Sequence, residues 1–430
     1  MVVGIAGTDV LPEGYVASSQ PPALPVDVAA SVDYWPKLTK SEIRQPQAMR
    51  VDRIKRYADQ LRDLDARGAL RRLRPAAGAD FSSNDYLALA DSPRMRRAVA
   101  LALERGVPCG SGGSRLLRGN HPEHEFLEEE AAKFFKVPRA LFFGSGYAAN
   151  TALLGSLPQS NDLVVYDEYV HASVHDGMKL GRSTCVSFPH NDVGAAADAI
   201  RAWRQRGGAG APWLVVESLY SMEGDRAPLA DLMSLAERDD AFLIIDEAHA
   251  TGVFGPDGRG LAAEFEGCDR VIAVHTGGKA LGTAGALITG SAVLGDFLVN
   301  RARPFIFATA PPPLLAAALR ESLRILHDEP ERRSRLTALW RHARAKLQTR
   351  LGLTLPESQI QPVVIGESEP TLRIADKVQA AGYDVRAIRP PTVPAGSARL
   401  RVSITLHVDQ SSIDSLAEVI ADALPGQDGA

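Results

Sequence analysis

A lysine set among glycines is the first residue with chemistry to weigh. Lys279 stands in His275-Thr-Gly-Gly-Lys279-Ala-Leu-Gly-Thr-Ala-Gly285, directly after the apolar run Val271-Ile-Ala-Val274. Most lysines are merely solvated, but small neighbours let a bulky planar group approach the amine. A lysine amine forms a Schiff base with an aldehyde, and an aspartate facing a pyridine nitrogen keeps that nitrogen protonated so that the ring accepts electrons. Asp246, closing the run Phe242-Leu-Ile-Ile245, suits the second role as Lys279 suits the first. The stretch Asp246-Glu-Ala-His249 also invites an ATPase reading with a magnesium-binding carboxylate, which needs a phosphate loop. Gly277-Gly-Lys279-Ala280 follows that stretch, lacks the GxxxxGK[ST] spacing and carries alanine where the hydroxyl should be, so this reading is rejected.

Two further motifs stand after strand-like runs, where open α/β sheets bind ligands. His171, in Asp167-Glu-Tyr-Val-His171-Ala-Ser-Val-His175, could stack its imidazole on a planar ring. It could equally be a satisfied core histidine, or bind zinc with His175 one helical turn on. No third ligand stands nearby, and His121 and His124 fit a capped helix start, so no metal site is assigned. Gly144-Ser-Gly146-Tyr-Ala-Ala149 would bring backbone N–H groups to an anion at a helix N-terminus. A dinucleotide site would look similar, since Asp167 lies 23 residues after Gly144, near the offset of a ribose ligand. The motif sits far into the chain instead of on its first strand, which favours the other chemistry.

The elements that must position these residues alternate. Ala140–Phe143, Leu163–Tyr166, Trp213–Val216, Phe242–Ile245 and Val271–Val274 are short runs apolar on both faces, separated by helix-length segments. That pattern predicts parallel strands covered on both sides, a doubly wound α/β sheet. Apolar residues recur at three or four residues from Val51 to Leu70, predicting an amphipathic helix. The organisation expected is a Pro-rich mobile arm over 1–50, an N-terminal helical segment over 51–88, a large α/β domain over 89–325 and a smaller α+β domain over 326–430. A long helical stretch from about Pro313 joins the last two.

Composition narrows the class. The chain has 430 residues, 45% apolar and 23% charged, with 48 Lys and Arg against 52 Asp and Glu. A net charge of −4 offers no basic footprint for nucleic acid or an anionic membrane. Cys109, Cys185 and Cys268 form no paired motif, which fits a reducing compartment. No run reaches the roughly 18 apolar residues of a membrane span, and the first residues lack a secretory pattern. A soluble cytoplasmic protein is expected.

Several motifs then agree in order: Phe81-Ser-Ser-Asn-Asp-Tyr-Leu87, Gly110-Ser-Gly-Gly-Ser-Arg115 with Gly119-Asn-His-Pro-Glu-His124, Asp246-Glu-Ala-His-Ala-Thr-Gly252 and Thr276-Gly-Gly-Lys279. With them the chain from about Val51 resembles the α-oxoamine synthase family of pyridoxal-phosphate (PLP) enzymes, of fold type I. This implies a large, mainly parallel doubly wound domain and a smaller C-terminal α+β domain. His190-Asn-Asp192 and Ala387–Arg401 most resemble the biotin-pathway branch, which condenses L-alanine with a pimeloyl thioester of coenzyme A or acyl carrier protein. Other branches take glycine or serine with a different acyl-CoA.

The resemblance implies Lys279 as the Schiff-base lysine, Asp246 at the pyridine nitrogen, His171 stacked on the ring and His249 at the ring oxygen. Gly146, Tyr147, Ser221 and Thr276 would complete the cofactor site, and Thr309 would reach the phosphate from the neighbouring subunit of a homodimer with a shared active site. Arg401 would bind the amino-acid carboxylate, with Asn84 and Arg71 also on the substrates. The interval from Arg71 to Phe81 is shorter than in the family, and His407 stands one residue off the usual spacing.

Overall fold

The structure, a computed structural model, describes residues 49–424. Almost all of the arm expected over 1–50 lies outside them. The chain divides into two compact units, Met1–Arg72 and Leu73–Ala430. In the first, the helix Met49–Ala66 forms where the spacing predicts one, and Ile54, Tyr57 and Leu61 on it are exposed. It stops short of Leu70, because Gly68 at φ +61° turns the chain out of the helix.

The second unit contains strands β1 (Ala79–Asp80), β2 (Arg139–Phe143), β3 (Leu163–Asp167), β4 (Thr184–Phe188), β5 (Pro212–Glu217), β6 (Phe242–Asp246), β7 (Val271–Thr276), β8 (Ala286–Gly290), β9 (Ile360–Gly366), β10 (Tyr383–Asp384), β11 (Arg386–Ile388) and β12 (Ala398–Ser403). Seven of them form one sheet in the order β2-β8-β7-β6-β5-β3-β4. Only β8 runs against the others.

Strand residues alternate between two apolar cores, as a period of two requires. Val164, Val215, Ile244 and Ile272 pack with Ala149 and Leu153 of the helix Gly146–Ser156 and Val174 of the helix Ala172–Leu180. Val165, Leu214, Val216 and Leu243 pack with Ile200 of the helix Val193–Gln205 and Leu232 of the helix Leu229–Arg238. Burial on both faces is why these runs are continuously apolar. The mainly parallel, doubly wound architecture is therefore the one expected, with two additions. β8 returns antiparallel between β2 and β7 out of the glycine-rich Lys279 loop. β4 is an edge strand whose Thr184 and Ser187 face outward, so it lacks a continuous apolar run. The long helical stretch after Pro313 is two helices, Pro313–Asp328 and Glu331–Leu351, separated at Pro330.

A three-stranded antiparallel sheet, β11-β12-β9, follows, with the helices Ser368–Ala380 and Gln410–Ala423. It is sewn to the early Phe81–Tyr86 loop: β1 pairs with β10, Ser403 N–H donates to Phe81 O at 2.8 Å, and Leu406 N–H donates to Tyr86 O at 3.0 Å. Asn84 and Arg401 come within bonding distance through these links.

Candidate active site

The polar residues gather where β5, β6 and β7 end, because the parallel register sets Glu217 beside Asp246 and Asp246 beside Val274. Beyond β7 the chain folds back at once: Gly277 N–H donates to Gly285 O at 2.8 Å and Gly282 N–H to Lys279 O at 2.9 Å. Gly285 must be glycine. Its φ is +94°, and a Cβ there would stand 2.4 Å from the Phe142 ring. This turn aims Lys279 into a cavity of about 300 Å³ lined by His171, Glu217, Asp246, His249 and Thr276 among others.

Lys279 Nζ lies 2.8 Å from His249 Nε2, and His249 Nδ1 lies 2.7 Å from the Tyr86 hydroxyl. Burial pushes the Lys279 ammonium down to about 8, against the opposing pull of Asp246 and Glu217. Burial first, then the charges of Lys279 and Arg401, hold His249 well below the usual imidazole range. A neutral imidazole beside a readily deprotonated amine makes Lys279 both a carbonyl nucleophile and a base.

Asp246 is buried and held rigidly. Its Oδ2 accepts from Asn150 Nδ2 at 2.7 Å and its Oδ1 from Ala248 N–H at 2.9 Å. Asn150 also donates to Ser173 Oγ at 3.0 Å, and Ser173 Oγ lies 2.8 Å from His171 Nδ1. One hydrogen-bonded chain thus fixes the carboxylate and the imidazole. His171 caps the helix Ala172–Leu180, and its ring lines the cavity from an exposed position. His175 turns away and packs edge-on to Tyr166.

At the other end of the cavity the helix Gly146–Ser156 begins, capped by Ser145. Thr276 packs so closely on its first turn that a Cβ at Gly146 would lie 2.6 Å from Thr276 Cγ2. The Thr276 hydroxyl is buried there without a protein partner. An orphan hydroxyl beside the positive end of a helix is a place for an anion. Tyr147 lies at the rim, its hydroxyl on Asp176 and its ring edge-on to His171. Amine, carboxylate, anion cradle and exposed imidazole together fit a planar, phosphate-bearing pyridine aldehyde.

Arg401 on β12 is buried with every branch engaged. Nε donates to Ser221 O at 2.6 Å, Nη1 to Ser403 Oγ at 2.6 Å, and Nη2 to Asn84 Oδ1 at 3.1 Å. Ser221 N–H donates to Glu217 Oε2 at 3.1 Å, while Glu217 Oε1 is buried without a partner. Thr309 is exposed and does not line the cavity. The motifs Gly110–Arg115 and Gly119–His124 hold its loop: Ala310 N–H donates to Gly113 O, and Ser111 Oγ and His124 Nε2 both bond Pro311 O. Arg71 stands on the exposed stretch after the helix of the first unit.

Four further residues are bonded into the site without having been assigned to it from the sequence: Tyr86, Asn150, Glu217 and Gln359, whose Nε2 donates to His249 O at 2.8 Å. Asn150 had a signal, four residues after Gly146 on the same helical face. Asp167, the residue a dinucleotide site would use, is fully buried and bonded to Tyr169 N–H, Asn191 N–H and His190, so it cannot take a ribose.

The chain belongs to the aminotransferase class I and II family, whose profile matches residues 77–420. Its relatives include 8-amino-7-oxononanoate synthases. The one from Chromobacterium violaceum is 43% identical over 341 residues, covering 79% of this chain and 88% of its own. The one from Geobacter sulfurreducens is 40% identical over 385 residues, covering 85% and 96%. Among solved structures, one of SPT with PLP superposes with a TM-score of 0.78 at 26% identity, covering 87% of this chain and 98% of its own. The 8-amino-7-oxononanoate synthase of Francisella tularensis superposes with a TM-score of 0.67 at 26% identity, covering 80% and 97%.

Proposed function

We propose that this chain catalyses the pyridoxal 5'-phosphate-dependent decarboxylative condensation of L-alanine with a pimeloyl thioester. The products are 8-amino-7-oxononanoate, CO2 and the free carrier, in a step of biotin biosynthesis. The observation that carries this reading is the convergence of Lys279, Asp246 and the unpartnered Thr276 hydroxyl on one cavity whose rim is tied to Arg401.

Lys279 holds the cofactor covalently. Thr276 would hold its phosphate, Gly146 and Tyr147 would bind it through backbone and packing, His171 would stack on the ring, His249 would hydrogen-bond the ring oxygen, and Ser221 would stand close by. Bound there, the cofactor supplies an aldehyde and a pyridine ring that takes up an electron pair. Asp246, fixed by Asn150, keeps a proton on the ring nitrogen. Arg401 presents its planar fork to the alanine carboxylate, and Asn84, already on Arg401 Nη2, keeps that fork in plane. Once the alanine amine has displaced it from the cofactor, the freed Lys279 amine would take the α-proton of alanine, and its low ammonium pKa suits a base near neutral pH. Arg71 is assigned to the acyl substrate, carried by coenzyme A or acyl carrier protein. Thr309, exposed on its own subunit, would serve the phosphate of the neighbouring one, which makes the enzyme a homodimer with shared active sites; a cytoplasmic location is part of the same proposal.

A serine-using synthase is the second reading, favoured by the higher TM-score to SPT. The two solved structures are equally distant at 26%, and the relatives that are 40–43% identical over about four fifths of this chain are 8-amino-7-oxononanoate synthases, which outweighs the TM-score because the fold is common to the family and side chains decide the substrate. The test is the visible spectrum of the purified protein with alanine, glycine and serine added separately. A chromophore that responds selectively to alanine is expected. Selective response to serine or glycine would overturn the substrate, and no chromophore after adding pyridoxal phosphate would overturn the function.

A further inference from the structure

His190 is sandwiched outside the cavity. Its Nδ1 lies 3.0 Å from Asp167 Oδ1 at the end of β3, and its Nε2 lies 2.9 Å from Asp225 Oδ2. Its ring stacks on Tyr169 at 4.6 Å and meets Tyr220 edge-on at 4.4 Å. Carboxylates only accept hydrogen bonds, so a ring with a carboxylate at each nitrogen carries a proton on both and is an imidazolium. Asp167 is fixed by two backbone N–H groups and has no freedom to move. Asp225 is partly exposed and ends the turn Ser221–Asp225, so it is the partner that His190 restrains.

That turn matters because its first carbonyl, Ser221 O, receives Arg401 Nε. The same turn is gripped by Arg399, two residues before Arg401 on β12, which donates to Met222 O at 3.1 Å and Glu223 Oε1 at 2.9 Å. Asn191, at φ +59°, has its amide Nδ2 3.2 Å from His190 Nε2, but it donates its two protons to Asp225 Oδ2 and Arg226 O, which leaves the Nε2 proton to Asp225. The charged and titratable groups facing His190 are therefore Asp167, Glu168, Tyr169, Tyr220, Glu223 and Asp225, with Arg399 behind Glu223.

We propose that His190 is a positioning residue for amino-acid capture: as an imidazolium held between Asp167 and Asp225 it fixes the Ser221–Asp225 turn that orients Arg401, and losing its proton weakens binding of the amino-acid carboxylate. The inference rests on the proposed role of Arg401. Burial alone would favour the neutral ring, but the bonds to Asp167 and Asp225 prevail and push its pKa up to about 10. The turn is therefore fixed throughout the neutral range.

The test is the dissociation constant of alanine, read from the visible spectrum of the holoenzyme between pH 7 and 10.5, for wild type, His190→Gln and Asp225→Asn. Wild-type affinity is expected to fall several-fold with a break near pH 10. Asp225→Asn removes one carboxylate and moves the break down by at least one pH unit. His190→Gln binds alanine about tenfold more weakly already at pH 7.5, the worth of one charge-assisted hydrogen bond, with the spectrum of the bound cofactor unchanged. Titration of the alanine amine is common to all three proteins, so the difference between them reads His190. A break at the same pH in wild type and Asp225→Asn, or unaltered affinity in His190→Gln, would overturn the inference and leave the function standing. Failure of alanine to perturb the wild-type spectrum would overturn both. If His190→Gln does not fold, Asp225→Asn still decides the matter.

Discussion

Tyr86 and Tyr220 are both fully buried tyrosines near the site, and they differ in one respect. The Tyr86 hydroxyl meets His249 Nδ1 at 2.7 Å, Asn84 Oδ1 at 3.0 Å and Arg401 Nη2 at 3.4 Å. The Tyr220 hydroxyl is buried beside Asp167 without a hydrogen bond of ordinary geometry to it. Replacing either by phenylalanine keeps the ring and its packing, so only the hydroxyl is tested. Tyr86→Phe leaves His249 Nδ1 unsatisfied in a buried place, which costs roughly 1–3 kcal/mol, or about 5- to 150-fold in an equilibrium or rate. Tyr220→Phe removes a hydroxyl whose neighbour Asp167 keeps its bonds to Tyr169 N–H, Asn191 N–H and His190, so the loss is smaller. Thermal unfolding of the two apo variants should show a fall of a few degrees for the first and a smaller one for the second. In the holoenzyme, Tyr86→Phe should lower kcat at least fivefold, because His249 loses the group that orients it toward Lys279. KM for the amino acid should change less, since Arg401 keeps its two 2.6 Å bonds. Equal losses of stability in the two variants, or a Tyr86→Phe effect confined to KM, would refute the reasoning.

Lys279→Ala should abolish turnover and the covalent cofactor link while leaving the fold intact; a borohydride-reducible chromophore in the variant would contradict this. Gly146→Ala sets a methyl against Thr276 Cγ2 and should weaken pyridoxal-phosphate binding by about tenfold or more, in line with roughly 1–3 kcal/mol of overpacking, measured by titrating the apoenzyme. His190 has its folded pKa raised from 6.5 to about 10, so its stabilisation is full below pH 6.5 and is lost as pH rises toward 10. Melting temperatures across that window should fall more steeply for wild type than for His190→Gln, and parallel curves would count against the ion pairs.

How much could be read in advance follows from the range over which each signal acts. The strand runs and the Lys279 glycine loop are local signals, one visible as continuous apolarity and the other as small residues around an amine, and the structure builds both. β4 is an edge strand with exposed Thr184 and Ser187, and β8, though buried throughout, offers three apolar residues between glycine-rich flanks, so neither stands out as a run of its own. Proline at 330 broke a helix that leucine spacing alone runs together. The pairings that make the site are of a different kind. Tyr86 meets His249, Ser221 meets Arg401, and Asn150 meets Asp246 across separations that no periodicity encodes.

These long-range pairings also explain why the site needs both sheets. Asp246 ends β6 and Lys279 stands in the tight turn just past the adjacent β7, so the register of the seven-stranded sheet and that turn fix them to each other. Arg401 rides on the three-stranded sheet, and nothing in the register of either sheet relates the two. The Phe81–Tyr86 loop supplies the relation. Its backbone is bonded to Ser403 and Leu406, and its side chains reach Arg401 on one side and His249 on the other. A substrate whose carboxylate lies on Arg401 must bring its α-carbon to Lys279 within a fraction of an ångström, because small misplacements cost orders of magnitude in rate. That tolerance is set by Asn84 and Tyr86, so substitutions in this loop should change the relation between binding and turnover more than they change either sheet.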